Sequence, residues 1–218
     1  MGAARPYTAL ASATVAHIAV GDFNQDGILD VAAASLPSPT AATDDLSILS
    51  GDGSGHFTLT QSQDVGAIIQ SLAVGKMNSD ALPDLVASYY NVQPAGMIAV
   101  FLGQGGGLFA RVGGSGYFTL AIERPGWSVV VADMNNDGFS DVVVSAGSRN
   151  EPNTLNDLIV VPGAGNGILS GARSFTVLSG IRSRIAIADL DNDGRKDVLV
   201  TNDLGVSRAL NIGSRTTP

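Results

Sequence analysis

Asp22-Phe23-Asn24-Gln25-Asp26-Gly27-Ile28-Leu29-Asp30 places acidic or amide side chains at alternate positions, then a glycine, then one more aspartate. The pattern returns as Asp133-Met134-Asn135-Asn136-Asp137-Gly138-Phe139-Ser140-Asp141 and as Asp189-Leu190-Asp191-Asn192-Asp193-Gly194-Arg195-Lys196-Asp197. An altered version runs Lys76-Met77-Asn78-Ser79-Asp80-Ala81-Leu82-Pro83-Asp84. The first positions are 54, 57 and 56 residues apart (76 − 22, 133 − 76, 189 − 133). A fixed period of this length marks a repeat architecture.

The residues around each loop repeat too. Before it stands a short apolar run: Ile18-Ala19-Val20, Leu72-Ala73-Val74, Val129-Val130-Val131 and Ile185-Ala186-Ile187. Large aliphatics two and four positions before the loop give the period of a strand that packs one face into a core. The residue just before the loop is always small (Gly21, Gly75, Ala132, Ala188), which predicts close approach of a neighbouring backbone. After the loop come nearly continuous apolar runs, Val31–Ala34, Leu85–Ser88, Val142–Val144 and Val198–Val200, predicted to be buried on both faces. Third strands are expected at 46–49, 97–102, 158–161 and 208–211. Glycine-rich turns at 51–55, 103–107 and 163–167 then lead to fourth strands at 57–60, 118–120 and 175–178.

Four short antiparallel strands per repeat make the blade of a β-propeller. The expectation is an all-β chain: one domain, 1–218, of four repeats of about 55 residues, near 12–62, 63–122, 123–178 and 179–218. Residues 7–11 read as a fourth strand able to complete the last blade and shut a ring, since Tyr7 precedes Asp22 by the same 15 residues as Phe118 precedes Asp133.

The loops have the chemistry of a calcium site. Side-chain oxygens at positions 1, 3, 5 and 9, with the position-7 carbonyl, would surround one point, and Ca²⁺ takes roughly 6–8 such ligands in loose geometry. The predicted ligands are Asp22, Asn24, Asp26, Ile28 and Asp30; Asp133, Asn135, Asp137, Phe139 and Asp141; and Asp189, Asp191, Asp193, Arg195 and Asp197. Zinc and its neighbours would need His or Cys, which no loop supplies. An EF-hand would need Glu at position 12 and flanking helices; position 12 is Ala33, Val144 or Val200 inside a strand. Polar turns held by Asx side chains would use the same residue types, but three coincident nine-residue matches favour the metal. In the altered copy Lys76 replaces the first Asp and Ala81 the Gly, so about three ions per chain are expected, with the Lys76 ammonium either near Asp80 and Asp84 or in solvent.

Composition agrees. Hydrophobic residues make up 44% and charged residues 15%, enough for a buried core. With no cysteine, disulfides, thiolate sites and Cys nucleophiles are excluded. The net charge of −8 disfavours nucleic acid and anionic membranes as partners. No apolar run is long enough to cross a bilayer. The start, Met1 to Pro6, lacks the apolar core of a signal peptide, so the expectation is that any secretion signal has been removed or that the chain is an excerpt of something longer.

The aliphatic strand, the Asp-x-Asn/Asp-x-Asp-Gly-x-x-Asp loop, the following aliphatic strand and the glycine turn ending in Phe (Gly51 to Phe57, Gly103 to Phe109) together resemble the FG-GAP and VCBS repeats of integrin α-subunit propellers and of secreted bacterial proteins. The resemblance implies a propeller with Ca²⁺ between the first two strands of a blade. It also implies an extracellular or cell-surface location and a role in recognition or adhesion toward a protein or glycan. Seven blades are usual in that family; four here leave closure alone, within a larger ring or by homo-oligomerisation open.

A ligand is expected on the face opposite the metal loops, at His17, Gln70, Tyr89, Tyr90, Arg124, Trp127 and Arg184. Aromatic faces beside arginines suit sugar stacking, although Trp127 and one Tyr equally suit packing at loop bases. No nucleophile elbow, His-Glu-x-x-His or phosphate loop is present. The chain therefore reads as a binding module with structural metals, with a carbohydrate-active domain of lyase or hydrolase type as the alternative.

Overall fold

The computed structural model describes residues 14–35, 45–90, 96–112, 120–122, 126–147, 156–169, 171–177, 183–202 and 205–211. Their regular structure is entirely β. The first sheet is β1 (Val15–Gly21), β2 (Asp30–Ser35), β3 (Asp45–Gly51) and β4 (Phe57–Asp64). The second is β5 (Ile68–Gly75), β6 (Asp84–Tyr90), β7 (Gly96–Gly105) and β8 (Leu108–Arg111), with β9 (Leu120–Ile122) pairing the start of β7. The third is β10 (Gly126–Ala132), β11 (Asp141–Ala146), β12 (Asn156–Val161) and β13 (Arg173–Val177); the fourth is β14 (Ile185–Ala188), β15 (Asp197–Asn202) and β16 (Gly205–Ala209). All pairings are antiparallel and, β9 apart, each strand lies beside its neighbour in sequence. The four sheets follow the expected strand order, but the third strand of the last begins at Gly205, three residues before the expected 208–211. In the second, the outer strand begins ten residues earlier than Phe118, directly after the glycine turn, and β9 continues it.

Register places every acidic loop at the same point. Gly21 pairs with Asp30, Gly75 with Asp84, Ala132 with Asp141 and Ala188 with Asp197. Each loop thus caps the hairpin between the first and second strands of its blade.

The core lies between blades. One cluster joins Ala32, Leu46 and Ile48 of blade 1 to Leu72, Tyr89 and Phe101 of blade 2. A second joins Met77, Val86 and Val100 to Val129, Val142 and Ile159 of blade 3. A third joins Met134, Val143 and Leu158 to Val198 and Val200 of blade 4. Each blade presents a trailing face to the next blade and a leading face to the one before. Among the described residues no strand pairing and no core cluster joins blade 4 to blade 1. The proposed closing strand, 7–11, lies outside the described residues.

Two packing expectations need correction. The aliphatics before the loop face a core in blades 2 to 4, but Ile18 and Val20 are exposed, with no blade before them among the described residues. The small residue before the loop does not admit a backbone: a Cβ on Gly75 would lie 2.3 Å from Cγ1 of Val131, and one on Gly21 would lie 2.7 Å from the Phe23 ring. The close backbone approach occurs at the first glycine of the glycine turn. A Cβ on Gly51, Gly103 or Gly163 would meet a carbonyl oxygen of Leu29, Pro83 or Ser140 at 2.3, 2.6 or 2.1 Å.

Candidate metal centres and the opposite face

In the three intact loops the chain is curled by its own carboxylates. Asp22 accepts the backbone N–H of Asp26 (3.1 Å) and of Gly27 (3.0 Å). Asp133 does the same for Asp137 and Gly138, and Asp189 for Asp193 and Gly194. Position 3 accepts from the N–H of position 5, and position 5 from that of position 7, at 2.8–3.2 Å. This winding needs left-handed backbone at positions 4 and 6. Gln25, Asn136 and Asn192 lie at φ 61°, 60° and 59°, and Gly27, Gly138 and Gly194 at 85°, 89° and 84°. Asn and Gly tolerate that region best.

The donor set is all oxygen and hard, which suits Ca²⁺. Loop 4 has Asp191 where loops 1 and 3 have Asn, and it brings carboxylate oxygens of Asp189, Asp191 and Asp197 within 4.8 Å of one another, so that this cluster could hold a metal ion. In loops 1 and 3 the position-3 amide instead donates to the position-5 carboxylate, Asn24 to Asp26 and Asn135 to Asp137, both at 2.9 Å. The position-7 residues Ile28, Phe139 and Arg195 lie on the same curl, and Arg195 also approaches Asp193 (3.4 Å).

Position 9 has a role that the sequence reading did not assign. Asp30 is fully buried; one of its oxygens accepts the N–H groups of Phe23 (2.9 Å) and Asn24 (3.2 Å), the other that of Gly51 (2.9 Å) in β3. Asp141 binds Met134 and Gly163 in the same way, and Asp197 binds Leu190 and Asn211. Asp84 does so in the altered loop, to Met77, Asn78 and Gly103. This aspartate latches the loop to the third strand whether or not the loop has a metal donor set. The signal was in the sequence: position 9 is unchanged in the copy that lost positions 1 and 6.

Burial raises the pKa of Asp84 and Asp141, against the hydrogen bonds that lower it. Asp197 shifts down, because the N–H groups of Asn211 and Leu190 prevail.

Loop 2 keeps the turn bonds of positions 3 and 5 (Asn78 to Asp80 N–H, 3.1 Å; Asp80 to Leu82 N–H, 2.8 Å). It has neither left-handed residue, and Lys76 makes no ion pair with Asp80 or Asp84. The ammonium is exposed and does not substitute for a metal between those carboxylates.

On the opposite face, His17 is half-buried near the start of β1, and its pKa is lowered by burial and by the charge of Arg184. Arg184 is exposed and held by its backbone, its N–H donating to Thr201 Oγ1 (2.8 Å). Gln70 is half-buried at a bulge in β5. Tyr89 is wholly buried between blades 1 and 2. Trp127 is nearly so, its indole N–H donating to the carbonyl of Gly147 (3.2 Å). Neither ring offers a face for stacking; both pack at the bases of loops. Tyr90 ends β6, with its side chain outside the described residues, as is Arg124.

Comparison with known families supports the repeat. The FG-GAP-like repeat matches residues 76–144, and the FG-GAP repeat matches residues 125–169. The first match begins at Lys76 and runs through loop 3 into β11; the second includes loop 3 and the glycine turn of blade 3. No curated protein matches the chain. FG-GAP repeats build propeller-like modules, typically in extracellular proteins and often for recognition. Blades, loops and both matches agree that residues 76–169 of this chain carry FG-GAP-type repeats.

Proposed function

We propose that this chain is a calcium-stabilised propeller module for extracellular recognition or adhesion, with structural ions in loops 22–30, 133–141 and 189–197 and none in 76–84. One observation carries the reading. The three loops share a curl with left-handed positions 4 and 6 that gathers hard oxygens, and loop 2 lacks both the curl and the first donor. An ion in each intact loop would offset carboxylate repulsion and tie the hairpin. The ligand, a protein or glycan, would meet the face that carries His17, Gln70 and Arg184. Titration of the metal-free chain with Ca²⁺ by calorimetry tests the metal reading: three equivalents are expected, and four equivalents or no binding at millimolar Ca²⁺ would overturn it.

A further inference from the structure

Several apolar positions that are buried in the interior blades are exposed at the ends of the described array. Position 2 of the loop is 2% exposed in Phe23, 1% in Met77 and 8% in Met134, each covered by the next blade, but 37% in Leu190. On the leading side Leu72 and Val129 are 9% and 3% exposed, whereas their counterpart Ile18 is 62% and the neighbouring Val20 is 49%. Val206, at the position of the fully buried Leu46 and Ile98, is 66% exposed. Blade 1 thus carries a bare leading face and blade 4 a bare trailing face.

These are the two halves of a junction the chain already builds. At the 1–2 junction the Gly107 N–H donates to the Phe23 carbonyl (3.3 Å), and Phe109 packs edge-on against Phe23 with ring centres 5.2 Å apart. At the 2–3 junction the Gly167 N–H donates to the Met77 carbonyl (2.8 Å), and Leu169 joins the Met77 cluster. The same turn in blade 1 supplies Gly55 and Phe57, and the same loop position in blade 4 supplies Leu190. Gly55 has the positive φ of its counterparts, 92° against 75° and 77°, with open space around it. The ends also match in charge. Arg208 stands where the other third strands have Ile48, Val100 and Val160, and Asp52 stands where the other glycine turns have Gln104 and Ala164.

We propose that a second copy of this chain covers both faces, the leading face of blade 1 in each copy docking on the trailing face of blade 4 in the other. Phe57 then seats on Leu190, and the Gly55 N–H donates to the Leu190 carbonyl. Two such junctions related by a two-fold axis close the pair, and each copy uses both of its faces. Eight blades lie within the range of about 4–8 that propellers adopt, whereas three copies would exceed it.

Sedimentation of the full chain in millimolar Ca²⁺ tests this. A mass of twice the 22.2 kDa chain is expected. Val20→Asp and Val206→Asp alter exposed positions on opposite ends, so each variant should keep its β circular dichroism yet sediment as a single chain. Mixing the two leaves one junction with both faces intact, and a two-chain species should return. A wild-type monomer, as expected if the faces instead meet further repeats of a longer chain, overturns the proposal. So does a dimer that survives either substitution, or a mixture that stays monomeric.

Discussion

Loops 22–30 and 76–84 occupy the same place in adjacent blades, cap the same hairpin and end on the same buried aspartate, yet only one is curled by an acid at its first position. Both latch position 2 and the third strand through position 9, Asp30 to Phe23 and Gly51, Asp84 to Met77 and Gly103. Only the first has an acid at position 1 gathering the N–H groups of positions 5 and 6, with left-handed backbone to allow it. The loop therefore holds two separable devices. A latch belongs to the blade and is present in every copy; the curl of oxygens, which the proposed ion would use, is absent from one copy without loss of the blade.

The comparison can be broken most severely by removing the ions. If each intact loop binds Ca²⁺ present at about ten times its Kd, linkage gives about 1.4 kcal/mol per site, or about 4 kcal/mol for three. Excess EDTA should then lower the thermal midpoint by many degrees, and an unchanged melt would separate the curl from any metal. The latch comes next. Asp84→Ala leaves buried N–H groups without an acceptor, at about 3 kcal/mol by the usual cost of such groups. If loop 76–84 holds no ion, as proposed, the urea midpoint of this variant should fall equally with and without Ca²⁺.

Asp133→Asn sharpens the contrast from the other side. It should lower calorimetric stoichiometry from three to two, cost about 1.4 kcal/mol in Ca²⁺, and cost much less after chelation. Restoring the missing parts with Lys76→Asp and Ala81→Gly should add a fourth equivalent of Ca²⁺, with about the same gain in stability; a stoichiometry that stays at three would show that more than these two side chains closed the site.

A smaller effect concerns pH. Burial raises the folded-state pKa of Asp84. The folded chain then holds this proton at pH values where the unfolded chain has released it. Its contribution to stability is complete below the ordinary carboxylate value and declines as pH rises through the window up to the folded value. In chelated protein, the urea midpoint of wild type should fall over that window relative to Asp84→Asn; parallel curves would show that the hydrogen bonds cancel the burial.

Much of the candidate site was legible because its information is local. Oxygens at alternate positions, a glycine at position 6 and a strand on either side all lie within one stretch of chain. Lys76 and Ala81 announced the altered loop in the same way. The latch was missed because its third partner, at Gly51, Gly103, Gly163 or Asn211, lies far along the chain. The aromatic residues misled for a similar reason. Tyr89 and Trp127 border variable loops in sequence, but both are buried, Tyr89 in the core between blades 1 and 2.

The repeat, the order of strands in each blade, the place of the acidic loops and the loop that departs from the rest could all be read along the chain, since each depends on residues close together in it. Only the tertiary structure decided burial. Leu72 and Ile18 have the same neighbours in sequence pattern, yet one is covered and the other bare. Burial depends on whether another blade stands alongside, and that is settled by segments some fifty residues away.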